Sequence, residues 1–388
     1  MTDDQAAETG FDFHGEALDD IFSTYSRLRA ACPVGRSEKH DGFWFLTKNE
    51  DIFAAEQDHA TFSVAPSMLL PDLGAGFPMI PIDIDPPDHS SYRRILLPLF
   101  TPKAAARLED GMRQTARQLL RQLTEQEVAD ASALYARPMP SIVFSRLAGF
   151  PEKDWPKFDA WVDDIIYERT GDLARAQVAA REVVDYFDDL LRAGPGEADG
   201  HDLISQLHRA RIDGRPLTQG ELISYCYLLF VAGLDTTAWA IRSSLWHLAR
   251  HPEDAERLRR EPGLIPVAAE EFLRTMSPVQ AMARTCRADT EIRGRQIKAG
   301  DRVVLVFGAG NRDPDSYESP DEIQIGREAN RHLSFGAGIH RCLGSNLGRR
   351  ELVVALEEFL CGVPGFSPAR PEEKWHGIGP LTLRLARS

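Results

Sequence analysis

The sequence predicts a mainly α-helical fold with a small β-rich region. Most of the chain repeats apolar residues at helical spacing, whereas only residues 42–46, 290–297 and 301–307 have the character of short strands. About 43% of the 388 residues are hydrophobic, which is enough for a large core and excludes intrinsic disorder. No stretch looks like a flexible linker between independently patterned halves, so residues 1–388 are predicted to form a single domain.

The longest helix has the clearest end signals. Thr218 and Glu221 form a capping box, in which each side chain can satisfy the other residue's backbone N–H. The helix is expected to run to about Arg250, because Pro252 disfavours a helical conformation at the preceding residue. Its middle is apolar on all faces, as expected of a helix inside a core. The predicted helices cover residues 18–32, 92–100, 103–123, 155–170, 175–192, 218–250, 266–276 and 347–360.

Residues 62–87 are rich in proline and glycine and are predicted to be irregular. Loops of this length in compact domains tend to be functional, and this one is in a position to cover a binding cavity.

Charge and hydropathy exclude several classes of protein. The formal net charge of −14 argues against nucleic acid or an anionic membrane as the main partner. The N-terminus is acidic and no apolar run follows it, so neither a secretory signal nor an anchor is expected. The longest apolar runs, at residues 225–234 and 303–309, are too short to span a bilayer. A cytoplasmic protein is predicted.

Five dispersed cysteines, with no CxxC pair among them, indicate reduced thiols. Only Cys342 has the context of a ligand. Gly336 and Gly338 allow tight-turn conformations before it, and the helix after it would lower the pKa of its thiol. A lone cysteine is otherwise more often a small buried hydrophobe.

The segment around Cys342 resembles the haem-binding loop of the cytochrome P-450 family, which reads Phe, Gly, any, Gly, any, His or Arg, any, Cys, any, Gly. Residues 311–314 and 331–333 also look like that family. The resemblance is to the bacterial soluble, camphor-hydroxylase-like class. It implies a cytochrome P-450 fold with haem b between the long central helix and the helix after the cysteine loop. The fixed positions of the loop are met by Phe335, Gly336, Gly338, His340, Cys342 and Gly344.

The long helix contains Ala232-Gly-Leu-Asp-Thr236, which resembles the oxygen-activation motif of the family. The resemblance implies that Asp235 and Thr236 deliver the protons that split the O–O bond. Without the resemblance, Thr236 is expected to bond back to the carbonyl four residues earlier and bend the helix.

Glu271 and Arg274, at i and i+3 on a helix, resemble the ExxR motif. Most pairs at this spacing are exposed and contribute only about 0.2–0.5 kcal/mol. The resemblance instead implies a structural ion pair that bonds to the chain leading into the cysteine loop, near Asn330 or Arg331.

Haem carries two propionates, and buried carboxylates need cations. The resemblance assigns this role to His89 and Arg93, one helical turn apart, together with Arg284 and His340. A surface salt bridge is the alternative for each residue taken singly.

The implied activity is a monooxygenase that inserts one oxygen atom from O₂ into a small-to-medium hydrophobic substrate, terpenoid-like or aromatic. A separate ferredoxin and its NAD(P)H-dependent reductase would supply electrons to a monomeric enzyme. The alternatives are a peroxygenase driven by H₂O₂ and a non-catalytic haem protein that binds a gas or carries electrons. The basic residues Arg94, Lys103, Arg107, Arg341, Arg349 and Arg350 are either solvated surface or a docking face for an acidic donor. The substrate pocket is expected to include Phe77, Leu228, Val231, Ala232, Met282, Ala283 and Ile378.

Overall fold

A computed structural model of the chain describes residues 10–14, 18–72, 76–167, 171–194, 200–372, 377 and 379–386. Helices dominate it, which confirms the predicted fold class. In chain order the α-helices are α1 (Leu18–Ala31), α2 (Asn49–Gln57), α3 (His89–Leu96), α4 (Pro102–Arg107), α5 (Glu109–Thr124), α6 (Pro138–Ala148), α7 (Trp155–Val162), α8 (Leu173–Ala193), α9 (Leu203–Arg209), α10 (Gln219–Gly233), α11 (Asp235–Arg250), α12 (Pro252–Arg260), α13 (Ile265–Met276), α14 (Phe307–Gly310) and α15 (Ser345–Gly362).

The strands are short and form small sheets. The largest sheet has the order β1-β2-β10-β7-β3, in which β2 and β10 are parallel and the other pairs are antiparallel. The strands are β1 (Val34–Ser37), β2 (Phe43–Leu46), β3 (Phe62–Ser63), β4 (Val128–Asp130), β5 (Arg211–Ile212), β6 (Arg215–Pro216), β7 (Met282–Cys286), β8 (Thr290–Ile292), β9 (Arg295–Ile297), β10 (Arg302–Leu305), β11 (Phe366–Pro368) and β12 (Thr382–Leu385).

The chain forms two compact units, each built from separate stretches of sequence. The first unit comprises Met1–Asp72, Ile82–Pro87 and Glu270–Cys342. It contains the five-stranded sheet, with α2 and α14 packed against each other. Its core is apolar and is formed by Val34, Leu46, Ile52, Ala55, Phe62, Cys286, Ile297, Val303, Leu305, Phe307 and Leu333. The cysteine loop belongs to this unit.

The second unit comprises Leu73–Pro81, Asp88–Ala269 and Leu343–Ser388. It is mostly helical: α5 packs on α15, α8 on α10 and α11 on α15, and a small sheet has the order β11-β12-β4. Aromatic rings fill much of its interior, among them Phe144, Phe150, Phe158, Phe187 and Phe230. The helix that follows Cys342 is therefore fixed by helix packing along its length.

The capping box at Thr218 and Glu221 is confirmed. The predicted single helix, however, is divided at Leu234 into α10 and α11. The Thr236 hydroxyl donates to the Ala232 carbonyl at 2.7 Å, so a side chain competes for the backbone acceptor at this point. Among the described residues, Gln219–Arg250 has the length and hydropathy to cross a bilayer, and half of its most apolar window is buried, as in a helix that runs through a protein core.

Several other predicted boundaries were wrong. The helix predicted over 103–123 is interrupted at Leu108, and the α-helix predicted from Trp155 ends at Val162 and continues as a π-helical segment to Tyr167. Residues 168–170 lie outside the described residues. Arg284 lies within β7, where no strand was predicted. Helices α2, α6, α9, α12 and α14 were not predicted.

Gly348 in α15 has room for a side chain. Among the described residues, the neighbour that a Cβ added there would meet within 4 Å is Thr237 Oγ1, at 3.9 Å. We therefore expect Gly348→Ala to raise the free energy of unfolding by about 0.4–1 kcal/mol, because alanine restricts the unfolded chain and favours the helix.

Urea titration followed by circular dichroism measures this difference. Gly35→Ala is the contrasting variant, since its added Cβ would overlap the Phe45 ring. It should lower the free energy of unfolding. Equal effects of the two substitutions would contradict the packing described for them.

Candidate active site

The cysteine loop is closed by its own backbone. The Cys342 N–H donates to the Phe335 carbonyl at 2.7 Å. Gly336 and Gly338 have φ angles of 62° and 63°, in the left-handed region that favours glycine. A Cβ at Gly338 would overlap the Glu56 carbonyl oxygen, so glycine is required there for the close approach of the loop to α2. The Cys342 side chain, at the end of this loop, is exposed.

Glu56 links the loop to the sheet. Its carboxylate accepts the Ala337 N–H at 2.6 Å through Oε2, and its Oε1 pairs with Nη2 of Arg284. Both side chains of the ion pair are almost completely buried. Burial raises the pKa of Glu56, and the charge of Arg284 and the Ala337 N–H act in the opposite direction. A buried carboxylate thus holds the cysteine loop from inside the first unit.

Arg284 therefore has a protein partner within the first unit. Besides Glu56, it donates to its own neighbour, the Ala283 carbonyl, at 2.9 Å. Its assignment to a propionate stays a prediction. A propionate would share the guanidinium with Glu56, which five N–H donors allow.

Glu271 and Arg274 form a fully buried ion pair on α13. Two parallel N–H···O bonds of 2.8 Å join them, and neither side chain is exposed to solvent. Glu271 also accepts from Asn330 Nδ2 and from Arg327 Nε, both at 3.0 Å. The expected contact with the chain near Asn330 is confirmed. The hydrogen bonds from Arg274 and Arg327 lower the pKa of Glu271 despite its burial.

Arg274 also organises backbone. It donates to the carbonyl oxygens of Asn311, Pro320 and Glu322 at 2.7–3.0 Å. Asn311 in turn accepts the Leu333 N–H at 2.6 Å through its side-chain oxygen. The segment that enters the cysteine loop is therefore positioned by a continuous buried network in the first unit.

In the second unit, α3 carries the other two residues assigned to propionates. His89 is buried and Arg93 is half-buried, one turn apart as predicted. The helix is attached to α10, because Tyr92 Oη donates to Glu221 at 2.8 Å and Tyr225 Oη donates to the Tyr92 carbonyl at 2.8 Å. The histidine and arginine therefore stand on a fixed helix.

Asp235 and Thr236 lie in the first turn of α11, directly after the interruption at Leu234. The Tyr167 hydroxyl donates to Asp235 Oδ1 at 2.6 Å, and Arg242 Nη2 donates to the same oxygen at 3.2 Å. Burial and the Asp235 charge raise the pKa of Tyr167, which keeps that hydroxyl protonated as a donor. The carboxylate is thus held on one side through a single oxygen.

The residues expected to line a substrate pocket fall in both units. In the second unit, Phe77 makes an edge contact with Tyr227, with 5.5 Å between ring centroids, while Ala232 and Gly233 are exposed. Leu228 and Val231 are buried on α10. In the first unit, Met282 packs against the apolar core and Ala283 is buried. Ile378 lies outside the described residues.

The cysteine loop fits a haem. Haem iron takes a cysteine thiolate as an axial ligand in one class of haem proteins. Of the five thiols, those of Cys32, Cys226 and Cys286 are buried, and burial raises the pKa of Cys226 and Cys286. Cys342 is exposed at the end of a loop whose shape depends on glycine. Cys361 is also exposed, but it lies within α15 and not on such a loop. An accessible thiol on a loop of this shape is a donor that can ligate a haem iron.

Comparison with known proteins agrees with this class. The family profile described as Cytochrome P450 matches residues 79–263 and 264–361. The chain belongs to the cytochrome P450 family, and it is a haem-thiolate monooxygenase.

Relatives cover nearly the whole chain. It is 35% identical over 361 residues to the polyketide biosynthesis cytochrome P450 PksS of Bacillus subtilis, with 88% of each chain covered. It is 36% identical to a methyl-branched lipid omega-hydroxylase of Mycobacterium tuberculosis, over 88% of this chain and 84% of that one. The solved structure of P450BioI in complex with an acyl carrier protein superposes with a TM-score of 0.84 at 31% identity, covering 95% of this chain and 98% of that one.

Three site residues were not found from the sequence. Glu56 contacts Arg284 across 228 positions of sequence, and Tyr167 and Arg242 contact Asp235 from a π-helical segment and from two turns along α11. Of the three residues, Glu56 could have been recognised from the sequence, because it is an acid on the buried face of a helix, beside Ile52 and Ala55. Buried acids call for a cation.

Removing the charge of Glu271 should destabilise the protein strongly. Glu271→Gln would leave Arg274 and Arg327 without a buried counter-charge, and loss of one partner of such a pair costs about 3–5 kcal/mol. Urea unfolding monitored by circular dichroism measures the change. Glu256→Gln is the matched control, because Glu256 is an exposed acid whose contacts with Arg259 and Arg260 are long, at 3.7 and 3.9 Å. A loss at Glu271 as small as that of the control would contradict the structural role.

Substitutions at Glu56 should weaken haem retention in a fixed order. Glu56→Gln keeps an acceptor for the Ala337 N–H but removes the charge opposite Arg284, whereas Glu56→Ala removes both. Haem transfer to an excess of apomyoglobin should be slowest for the wild type and fastest for Glu56→Ala. Glu50→Ala is the control, since Glu50 is an exposed acid on the same helix. If Glu56→Ala retained haem as well as the wild type, Glu56 would not be needed to hold the cysteine loop in its haem-binding conformation.

Glu351, on α15, should make stability depend on pH. Burial raises the pKa of Glu351 to about 8, and its Oε1 has no hydrogen-bond partner among the residues that the structure describes. The carboxyl is therefore neutral in the folded protein at pH 7 and ionised in the unfolded chain. The stability that Glu351 contributes to the folded protein through its raised pKa is fully present below about pH 4.5. It is lost as the pH rises through about 8. Glu351→Gln should make the free energy of unfolding less dependent on pH between about 4.5 and 8. An unchanged dependence on pH would contradict the raised pKa of Glu351.

Proposed function

We propose that this cytochrome P450 hydroxylates a small-to-medium hydrophobic substrate with O₂. Its electrons would come from a separate ferredoxin and an NAD(P)H-dependent reductase. We also propose that residues 1–388 form a single domain and that the protein acts as a cytoplasmic monomer.

The observation that carries this proposal is the pairing of Asp235 with Thr236 at the start of α11. The Thr236 hydroxyl donates to Ala232, so its oxygen can still accept a hydrogen bond from a water or a bound ligand. Oδ1 of Asp235 accepts the hydrogen bonds from Tyr167 and Arg242. An acid beside a hydroxyl, next to the exposed residues Ala232 and Gly233, is an arrangement that can pass protons.

In the proposed site, Cys342 would hold the haem iron, and Phe335 and Gly344 would shape the loop around the sulfur. His89, Arg93, Arg284 and His340 would hold the propionates. Haem supplies the activation of O₂ when it is bound, with the thiolate donating electron density. The Thr236 hydroxyl would hold a water or a ligand by hydrogen bonds. Asp235 would supply protons to that water or ligand. The hydrogen bonds from Tyr167 and Arg242 would keep the Asp235 carboxyl oriented while it does so.

An acidic electron donor has a basic surface available in the second unit. Helix α4 packs against α15, which brings the helix of Lys103 and Arg107 beside the helix of Arg349 and Arg350. Lys103 and Arg107 are exposed, and Arg350 is exposed beside Glu109, whose Oε2 lies 3.0 Å from its Nη1. Clustered cations on a protein of net charge −14 support docking of a partner with acidic charge.

The chemistry of the expected pocket residues supports a hydrophobic substrate. Phe77, Leu228, Val231 and Ala232 carry no polar side-chain atoms, so selectivity would come mainly from shape. The names of two relatives refer to a polyketide pathway and to a methyl-branched lipid, and one related structure holds hexadec-9Z-enoic acid on an acyl carrier protein. A terpenoid-like or aromatic compound is our proposal, and an acyl chain is the alternative to include in any screen.

Reconstitution tests the proposal. The haem-loaded enzyme is first screened for compounds that change the ferric spin state, and binders are then incubated with a surrogate ferredoxin, its reductase and NADPH. Oxygenated product formed with NADPH consumption would support the proposal. Product formed only with H₂O₂ would identify a peroxygenase, and no product with any reductant would indicate a gas-binding or electron-carrying protein.

Thr236→Ala should separate electron consumption from product formation. Without the hydroxyl, protons are no longer delivered from a fixed position. We therefore expect the amount of product formed per NADPH to fall about tenfold while H₂O₂ accumulates. Thr236→Ser restores the hydroxyl and should recover most coupling, and Thr237→Ala is the control one position along. Peroxide and product are measured in the same reaction. Unchanged coupling in Thr236→Ala would remove Thr236 from the mechanism.

A further inference from the structure

Three metal-ligand side chains meet in the first unit, away from the cysteine loop in sequence. Asp12 and His14 come from the segment 10–14, and His40 comes from the turn between β1 and β2. One donor atom from each lies within 4.8 Å of the other two. His40 Nε2 is 3.2 Å from Asp12 Oδ1. Two ligands bound about 2.0–2.1 Å from a tetrahedral zinc lie about 3.3 Å apart, so this pair already has the required spacing.

The tautomer of His14 suits a ligand. Its Nε2 is 2.6 Å from the Leu70 carbonyl oxygen, which can only accept, so Nε2 carries the proton. Nδ1 is then the nitrogen with a lone pair. Histidines that bind metals almost always donate their other N–H to a carbonyl or carboxylate in this way. The His14 backbone N–H also donates to Asp12 Oδ1 at 3.0 Å, which orients that carboxylate.

The segment that carries Asp12 and His14 is anchored by its alternate residues. Phe11 is buried and its ring lies 4.9 Å from that of Phe45, and Ser37 Oγ donates to the Phe11 carbonyl at 2.7 Å. Phe13 makes an edge contact with Phe43 at 5.8 Å. The apolar contacts fix the backbone, while Asp12, His14 and His40 remain partly accessible to solvent.

We propose that Asp12, His14 and His40 bind a divalent transition-metal ion, with zinc as the probe. Two imidazole nitrogens and one carboxylate oxygen favour zinc and its first-row neighbours, whereas magnesium and calcium prefer sets made of oxygen alone. Three protein ligands leave the fourth position to water. The ion would fasten the segment 10–14 to the turn between β1 and β2, so its role is structural and independent of the haem chemistry.

The test uses tag-free, haem-loaded protein in a Cys361→Ser background, because Cys361 is an exposed thiol that would bind zinc elsewhere. Protein is dialysed against micromolar zinc sulfate, and zinc and iron are measured by elemental analysis. We expect one zinc per chain, lost in Asp12→Asn and in His40→Ala, whose zinc affinity should fall by about 10- to 100-fold or more. His59→Ala, which alters a histidine outside the cluster, should keep the ion.

X-ray absorption at the zinc edge gives the ligand atoms. The proposal requires nitrogen and oxygen at about 2.0–2.1 Å, whereas sulfur at about 2.3 Å would place the ion on a cysteine and overturn it. Zinc should also raise the melting temperature of the parent protein and not that of His40→Ala. Equal zinc in the parent and in His40→Ala, or no zinc in either, would equally overturn it. An unchanged haem spectrum in each variant establishes that the protein is folded.

Discussion

The buried ion pair between Glu271 and Arg274 is the constraint on which the cysteine loop depends. Neither side chain is exposed, and between them they bind Arg327, Asn330 and several backbone carbonyls of residues 311–322. Such a pair gains little over apolar packing, but losing one partner leaves a buried charge. Its value here is therefore geometric, because it determines the path of the chain into the segment that ends at Cys342.

The loop itself is fixed from a second direction by Glu56. Its carboxylate receives the Ala337 N–H and pairs with Arg284, and its backbone carbonyl lies where a side chain at Gly338 would be. Desolvation opposes the charge on Glu56, whereas Arg284 and the amide favour it. The loop is therefore held by groups that cannot move independently of the sheet and of α2. The thiol of Cys342 is exposed at the end of this loop.

The sequence predicted what depends on local chemistry. The capping box at Thr218 and the pair at Glu271 could be identified because their partners lie three residues apart. The partners of Arg284 and Asp235 could not, because Glu56 is 228 residues from Arg284 and Tyr167 is 68 from Asp235. The interruption at Leu234 was missed as well. The interruption coincides with the hydrogen bond from the Thr236 hydroxyl to the Ala232 carbonyl. From the sequence, that bond was predicted only as the alternative to a role for Thr236 in proton delivery.

Cys342 is the proposed thiolate ligand of the haem. Thiolate ligation shifts the Soret band of the reduced, CO-bound enzyme to longer wavelength, so the absorption spectrum of that complex reports the ligand. Cys342→Ser should lose that shifted band, whereas Cys361→Ser, which changes the other exposed thiol, should keep it. A shifted band that persists in Cys342→Ser would contradict the assignment of Cys342 as the haem ligand.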